Sequence, residues 1–259
     1  MVAVILALIP VGGLGALIYV AFRRPPANPP IGPGAHTVMV GFGDSLTHAT
    51  LSTDWIGALR DRLGPDGYAF FNAGQNGHTS ADLLRRLDDV VSRHPDAVTI
   101  WVGTNDARNN VPVTEFRANL EAIVDGLRTR TTARLALMSS PPLGEDLDGE
   151  MNQRLAPYVA ATEEVARRAA LTYLPAHERL AEHAGKYGKA PRYAFGFGLA
   201  MRAAVQRYVL RRSFDAIAAG NGLTVLTDHV HLSDRAGATV ADLVTGWLTR
   251  THAAGPRQR

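Results

Sequence analysis

The chain has 259 residues, 46% of them hydrophobic and 20% charged, which suits one medium α/β domain with a substantial core and excludes a disordered chain. Its net charge of +3 falls short of the basic excess of a dedicated nucleic-acid binder, and no nucleic-acid module surrounds its basic residues. No cysteine is present, so disulfides, thiolate metal sites, iron–sulfur clusters and a cysteine nucleophile are excluded.

From Met1 to Phe22 no side chain is charged, and Arg23 and Arg24 come next. At about 1.5 Å per residue this run reaches roughly 33 Å, so residues 1–24 are expected to form a transmembrane anchor. Pro10, Gly12, Gly13 and Gly15 weaken it as a helix. A cleaved signal sequence, which would make the protein secreted, is the rival. It is disfavoured by the missing charged n-region and the lack of a small-x-small site. A helix buried in the globular domain is a third reading. The flanking arginines favour a cytoplasmic catalytic domain under the positive-inside bias. Residues 25–34 are rich in proline and read as a stiff spacer, so the soluble domain is expected over residues 35–252.

The pattern then alternates. Apolar runs predict strands at 37–42, 68–72, 97–102, 134–138 and 171–174. Helices are predicted at 55–63, from Thr79 onward with Asp82 as a capping partner, along Phe116 to Leu127, at about 150–170, and from Ser233 to beyond Trp247. Repeated β-α-β-α argues for a parallel sheet covered by helices on both faces.

In such sheets ligands sit beyond the carboxyl ends of the strands. Gly43-Asp44-Ser45-Leu46 stands after the first strand, Gly74 after the second, and Gly103-Thr104-Asn105-Asp106 after the third. Asp228 and His231 stand three residues apart before the last helix. These parts suit acyl transfer. A serine hydroxyl needs a base, a histidine has the appropriate pKa, and an aspartate fixes the tautomer of that histidine. Ser45, His231 and Asp228 fill these roles, and the Ser45 N–H, the Gly74 N–H and the Asn105 amide are candidate oxyanion donors. Asp44 and Asp106 are expected to brace their loops. His229 lacks the i,i+3 spacing to Asp228 and is read as a bystander. A metal site from Asp228, His229 and His231 is possible by residue type but has no fourth ligand nearby, so no metal or cofactor is expected.

These four blocks, in this order, resemble the SGNH or GDSL-type serine esterases and lipases over roughly residues 37–250. The resemblance implies a flavodoxin-like three-layer α/β/α fold and metal-free hydrolysis of carboxylic esters through an acyl-enzyme. It also implies work outside the cell for many members, against the orientation that Arg23 and Arg24 favour. The rivals are a carbohydrate O-acetyl esterase or acyltransferase using the same residues, and a non-catalytic binding module on the same fold.

One stretch departs from this plan. Between His183 and Phe214 stand Lys186, Lys189, Arg192, Arg202, Arg207, Arg211 and Arg212 with no acidic residue, interleaved with Tyr187, Tyr193, Phe195, Phe197 and Tyr208. It reads as a solvated surface helix, a lid, or a basic-aromatic face that binds anionic lipid and presents lipid-like esters to Ser45.

Overall fold

Five apolar runs become the strands of one parallel sheet: β1 (Thr37–Gly43), β2 (Tyr68–Gly74), β3 (Ala97–Trp101), β4 (Arg134–Met138) and β5 (Thr172–Leu174). The structure is a computed structural model that describes residues 11–187 and 196–250. Strand order is β2-β1-β3-β4-β5, the flavodoxin-like order, with every neighbouring pair parallel. Alternation along each strand sends one residue to each face. Met39, Trp101 and Met138 point into one core layer, where α3 (Trp55–Leu63), α9 (Ala176–Tyr187) and α12 (Asp234–Arg250) bury their apolar faces. Val40, Phe42, Ile100 and Leu137 point into the other, under α4 (Ser80–Leu84), α5 (Leu87–Val91), α7 (Val113–Arg130) and α8 (Glu150–Arg168). The expected three-layer architecture is therefore the observed one.

Chain winding reverses at β1. The chain goes outward to β2, then returns past β1 to β3, so the loops after β1 and β3 diverge and leave a crevice between them. Those loops begin two short helices, α2 (Ser45–His48) and α6 (Thr104–Arg108).

The helix expected from Thr79 is broken in two. Its apolar period continues through the break, but Arg86 leaves helical geometry (φ −116°, ψ 21°). Its guanidinium turns inward, donating to the Ala73 carbonyl at 3.1 Å and lying 5.6 Å from the centre of the Phe42 ring.

The anchor expected over residues 1–24 falls only partly within the described residues. Among the described residues no helix is long and apolar enough to cross a membrane. Residues 1–10 lie outside the described ones. From residue 11 the chain forms α1 (Val11–Ile18), continued by a five-residue π turn (Tyr19–Arg23), together about 20 Å at the helical rise. This helix faces the domain: Leu17 and Ala21 are buried against Leu51, Met201, Val205, Phe214 and Ile217. Apart from Leu51, their partners come from α10 (Phe197–Ala204), its own π turn (Val205–Val209), and α11 (Phe214–Gly220).

Nor do residues 25–34 hang free. The Asn28 side chain pairs with both backbone groups of Asn72 on the edge strand, accepting from its N–H at 2.7 Å and donating to its carbonyl at 3.0 Å. Arg60 donates to the Ala27 carbonyl at 3.1 Å. The spacer is a strap across the β2 edge. Of the basic-aromatic segment, Lys189, Arg192, Tyr193 and Phe195 lie outside the described residues. Two of its arginines are engaged within the domain: Arg207 lies 4.5 Å over the Phe214 ring and donates to the Arg212 carbonyl, and Arg212 donates to the Gln206 side chain at 3.0 Å. The membrane-binding reading of this segment gains no support from these contacts.

Candidate active site

Ser45 opens α2 directly beyond β1. Asp44 caps that helix, its Oδ1 accepting from the Leu46 N–H at 2.9 Å. As the first helical residue, Ser45 has an N–H with no carbonyl of its own helix to meet. His231 approaches from the loop before α12, with Nε2 at 3.2 Å from Ser45 Oγ. Its Nδ1 lies 2.8 Å from Asp228 Oδ2, and Asp228 Oδ1 accepts from the His231 and Val230 N–H groups at 2.9 and 3.2 Å. Asp228 is fully buried. Burial alone would raise its pKa, but the adjacent His231 and these hydrogen bonds outweigh it and hold the carboxyl below its ordinary value. The three residues stand in one line, carboxylate to imidazole to hydroxyl.

The loop carrying Asp228 and His231 is gripped from the side by the segment after β4. Gly144 N–H donates to the His229 carbonyl at 2.8 Å. The Glu145 carboxylate accepts from the N–H groups of Thr224, Val225 and Leu226 at 2.7 to 2.9 Å. Sequence reading missed Glu145, because its partners are backbone groups some 80 residues away and no motif marks them. His229 stands at φ 74° with its ring beside Gly144, and it takes no part in the Asp228–His231–Ser45 line.

The candidate oxyanion donors stand in different states. Gly74 lies so close to α2 that a Cβ there would sit 2.2 Å from the His48 nitrogen, so only glycine fits. Its N–H already donates to Asn72 Oδ1 at 2.9 Å. Asn72 also donates to the Thr47 carbonyl at 2.6 Å, tying the end of β2 to α2. Asn105 donates to the His78 carbonyl at 2.9 Å and makes a long 3.4 Å contact with Asp44 Oδ2, while its Oδ1 accepts from Arg108 at 3.3 Å. Gly103, at φ 129°, sets this loop in a conformation that residues with a Cβ rarely adopt.

Both bracing aspartates are buried. Asp106 accepts from the Ser80 N–H at 3.0 Å and its hydroxyl at 2.6 Å, which pins the Asn105 loop to the start of α4. Burial raises its pKa, partly offset by those bonds. Burial also pushes Asp44 up to about 7, with the Leu46 N–H and His231 pulling it back and Asp106 adding to the rise. No cluster of three or more metal-ligating His, Cys, Asp or Glu side chains occurs among the described residues.

The GDSL-like lipase/acylhydrolase family matches residues 42–199. A GDSL esterase/lipase of Arabidopsis thaliana is 31% identical over 164 residues, 58% of this chain and 62% of its own length. The crystal structure of a lipase/acylhydrolase from Enterococcus faecalis superimposes with a TM-score of 0.61 at 20% identity, covering 86% of this chain and 100% of that one. An acetylxylan esterase from Geobacillus stearothermophilus, Axe2, does so with a TM-score of 0.60 at 18% identity, covering 83% and 95%. These likenesses in shape are likenesses of fold. The family match runs from the end of β1 to the start of α10 and takes in the loops after the first three strands, and on that ground the chain belongs to the GDSL-like lipase/acylhydrolase family.

Proposed function

We propose that this protein hydrolyses carboxylic esters with Ser45 as nucleophile, His231 as base and Asp228 as its orienting carboxylate. The observation that carries the reading is the continuous line of contacts, 2.8 Å from Asp228 to His231 and 3.2 Å from His231 to Ser45. Ser45 Oγ attacks the ester carbonyl carbon as His231 Nε2 takes its proton. Asp228 holds the proton on Nδ1 and stabilises the imidazolium that forms. The oxyanion meets the Ser45 N–H and the Asn105 amide, with the Gly74 N–H available when it exchanges its bond to Asn72. His231 then protonates the departing alcohol, and a water activated by the same imidazole releases the acid.

A short acyl group is the favoured substrate feature. A small, largely apolar cavity of about 60 Å³, lined by Arg108, Leu143, Gly144, Met151, His229 and Val230, lies between the base loop and the Asn105 loop. It suits an acetyl or similar group, the group named in acetylxylan esterases. Lipid-length acyl chains are the alternative.

A fluorophosphonate probe is expected to label Ser45 and to lose its target in Ser45→Ala. Removal of Ser45 or His231 is expected to lower kcat by about 10⁴- to 10⁶-fold, and Asn105→Ala by about 10²- to 10³-fold. His229→Ala is expected to be mild. A panel of esters of graded length tests the acyl preference, with acetate or propionate expected to give the highest kcat/KM. Unlabelled, folded wild-type protein would leave a binding module as the reading.

A further inference from the structure

A second cavity adjoins the site. The π turn after α1 supplies Arg23, the strap supplies Pro25, Pro26 and Asn28, β2 and the loop after it supply Phe71 to Gln75, α2 supplies His48, and the flank of α5 supplies Arg86, Asp89, Ser92 and Arg93, around about 470 Å³. That volume is typical of a site for a small ligand. Gly74 and His48 stand in its wall, and His48 ends the single helical turn that Ser45 begins, about 5 Å along the axis. The groove therefore shares Gly74 and the far end of α2 with the candidate site.

Its charge is one-sided. Three guanidiniums face one carboxylate, and Asp89 is spent on Arg86 at 2.9 Å. Some surface arginines are matched with acids, as in Arg62 with Asp242 and Arg235 with Asp215. Among the described residues neither Arg23 nor Arg93 has a carboxylate partner. The groups are also held ready. The Arg93 guanidinium lies 3.9 Å over the Phe71 ring, and the backbone around Arg23 is pinned on both sides, by Asn76 donating to the Phe22 carbonyl at 2.8 Å and by the Asn28–Asn72 pair on the strap. A planar guanidinium fixed on an aromatic face loses little freedom when it pairs with an oxyanion.

We infer that this groove binds an oxyanion carried by the ester, a phosphate or a carboxylate, so that the substrates of the site are acidic esters. The inference rests on the esterase reading and adds the class of group that the substrate bears.

The test compares a neutral acetate ester with two acidic ones on the full chain: acetylated glycerol phosphate, with its phosphate on the alcohol side, and a hemisuccinate ester, with its carboxylate on the acyl side. Wild-type protein is expected to favour at least one acidic ester by tenfold or more in kcat/KM. In the double variant Arg23→Gln, Arg93→Gln that ratio of acidic to neutral kcat/KM is expected to fall at least tenfold, through KM. Calorimetric titration with glycerol phosphate and with succinate supplies a readout independent of turnover, with binding expected in the wild type and lost in the variant. Which acidic ester is preferred identifies the source of the oxyanion. A ratio unmoved by the double substitution, or no binding of either anion by the wild type, overturns the inference. Anion binding that depends on the two arginines, in a protein inert toward all three esters, would uphold the groove and bring down the esterase reading alone.

Discussion

The Asp44 carboxyl sits one residue before Ser45, fully buried, and burial pushes its pKa up to about 7 in the folded chain against an ordinary 3.8. Between those values the folded chain holds a proton that the unfolded chain has lost, so stability falls as pH rises through that window. Asp228 has the opposite sign: its folded pKa is depressed, and its contribution is lost as pH falls through that lower value. Asp44→Asn keeps a capping side chain and removes the titration. The stability of the wild type relative to this variant, measured by denaturant unfolding across pH 4 to 8, is expected to decline up to about pH 7 and then level off. Asp44 was legible in the sequence as a brace for its loop but not as a buried acid, since its burial depends on loops brought in from three strands. Asp228 and His231 were legible because the i,i+3 spacing alone lets one side chain reach the other. Asn72, which bonds to Gly74, Thr47 and the strap, left no such mark.

Among the elements, the loop that carries His231 depends on a clamp from outside itself. Glu145 gathers three successive backbone N–H groups at 224 to 226, and the chain then passes through Thr227, whose N–H donates to the His231 carbonyl at 2.7 Å. Removing the carboxylate leaves those donors to water or to nothing. Glu145→Ala is expected to cost about 2 kcal/mol of stability and to lower kcat more than it raises KM, because it loosens the base rather than the substrate. Thermal unfolding and steady-state kinetics check both parts. The strands were readable because each is a charge-poor apolar run, and the long helices α7 and α8 because their period is regular. The break between α4 and α5 was hidden. Leu84 and Leu87 keep the helical rhythm, and only the inward turn of Arg86 toward Ala73 and Phe42 explains why the backbone leaves it.

On the scale of the whole molecule, sequence order and spatial order agree for β3, β4 and β5, and the reversal at β1 creates the crevice. That much is dictated by alternation and handedness. The fate of the N-terminal apolar run was not, because a stripe such as Leu17 and Ala21 suits a lipid tail and a protein groove alike. The deciding partners, Met201, Val205 and Ile217, lie nearly two hundred residues away. A protein beginning at Ala35 is accordingly expected to lose about 3 kcal/mol from the exposed Leu17 site and the missing Asn28 bonds. Its unfolding midpoint is expected to drop by roughly 6 to 12 °C, as read by calorimetry.

Asn28 has a consequence at the rim of the sheet. β2 is an edge strand of seven residues, with Tyr68, Phe70 and Phe71 along it. A strand of this kind, once bare, is a template on which another polypeptide can add itself, and chains that add to one another grow into aggregates. The asparagine side chain occupies both backbone groups of Asn72 with the same pair of bonds that an incoming strand would make. It acts as a one-residue counterfeit strand, so the strap that walls the groove also stands where a further strand would pair with the open edge.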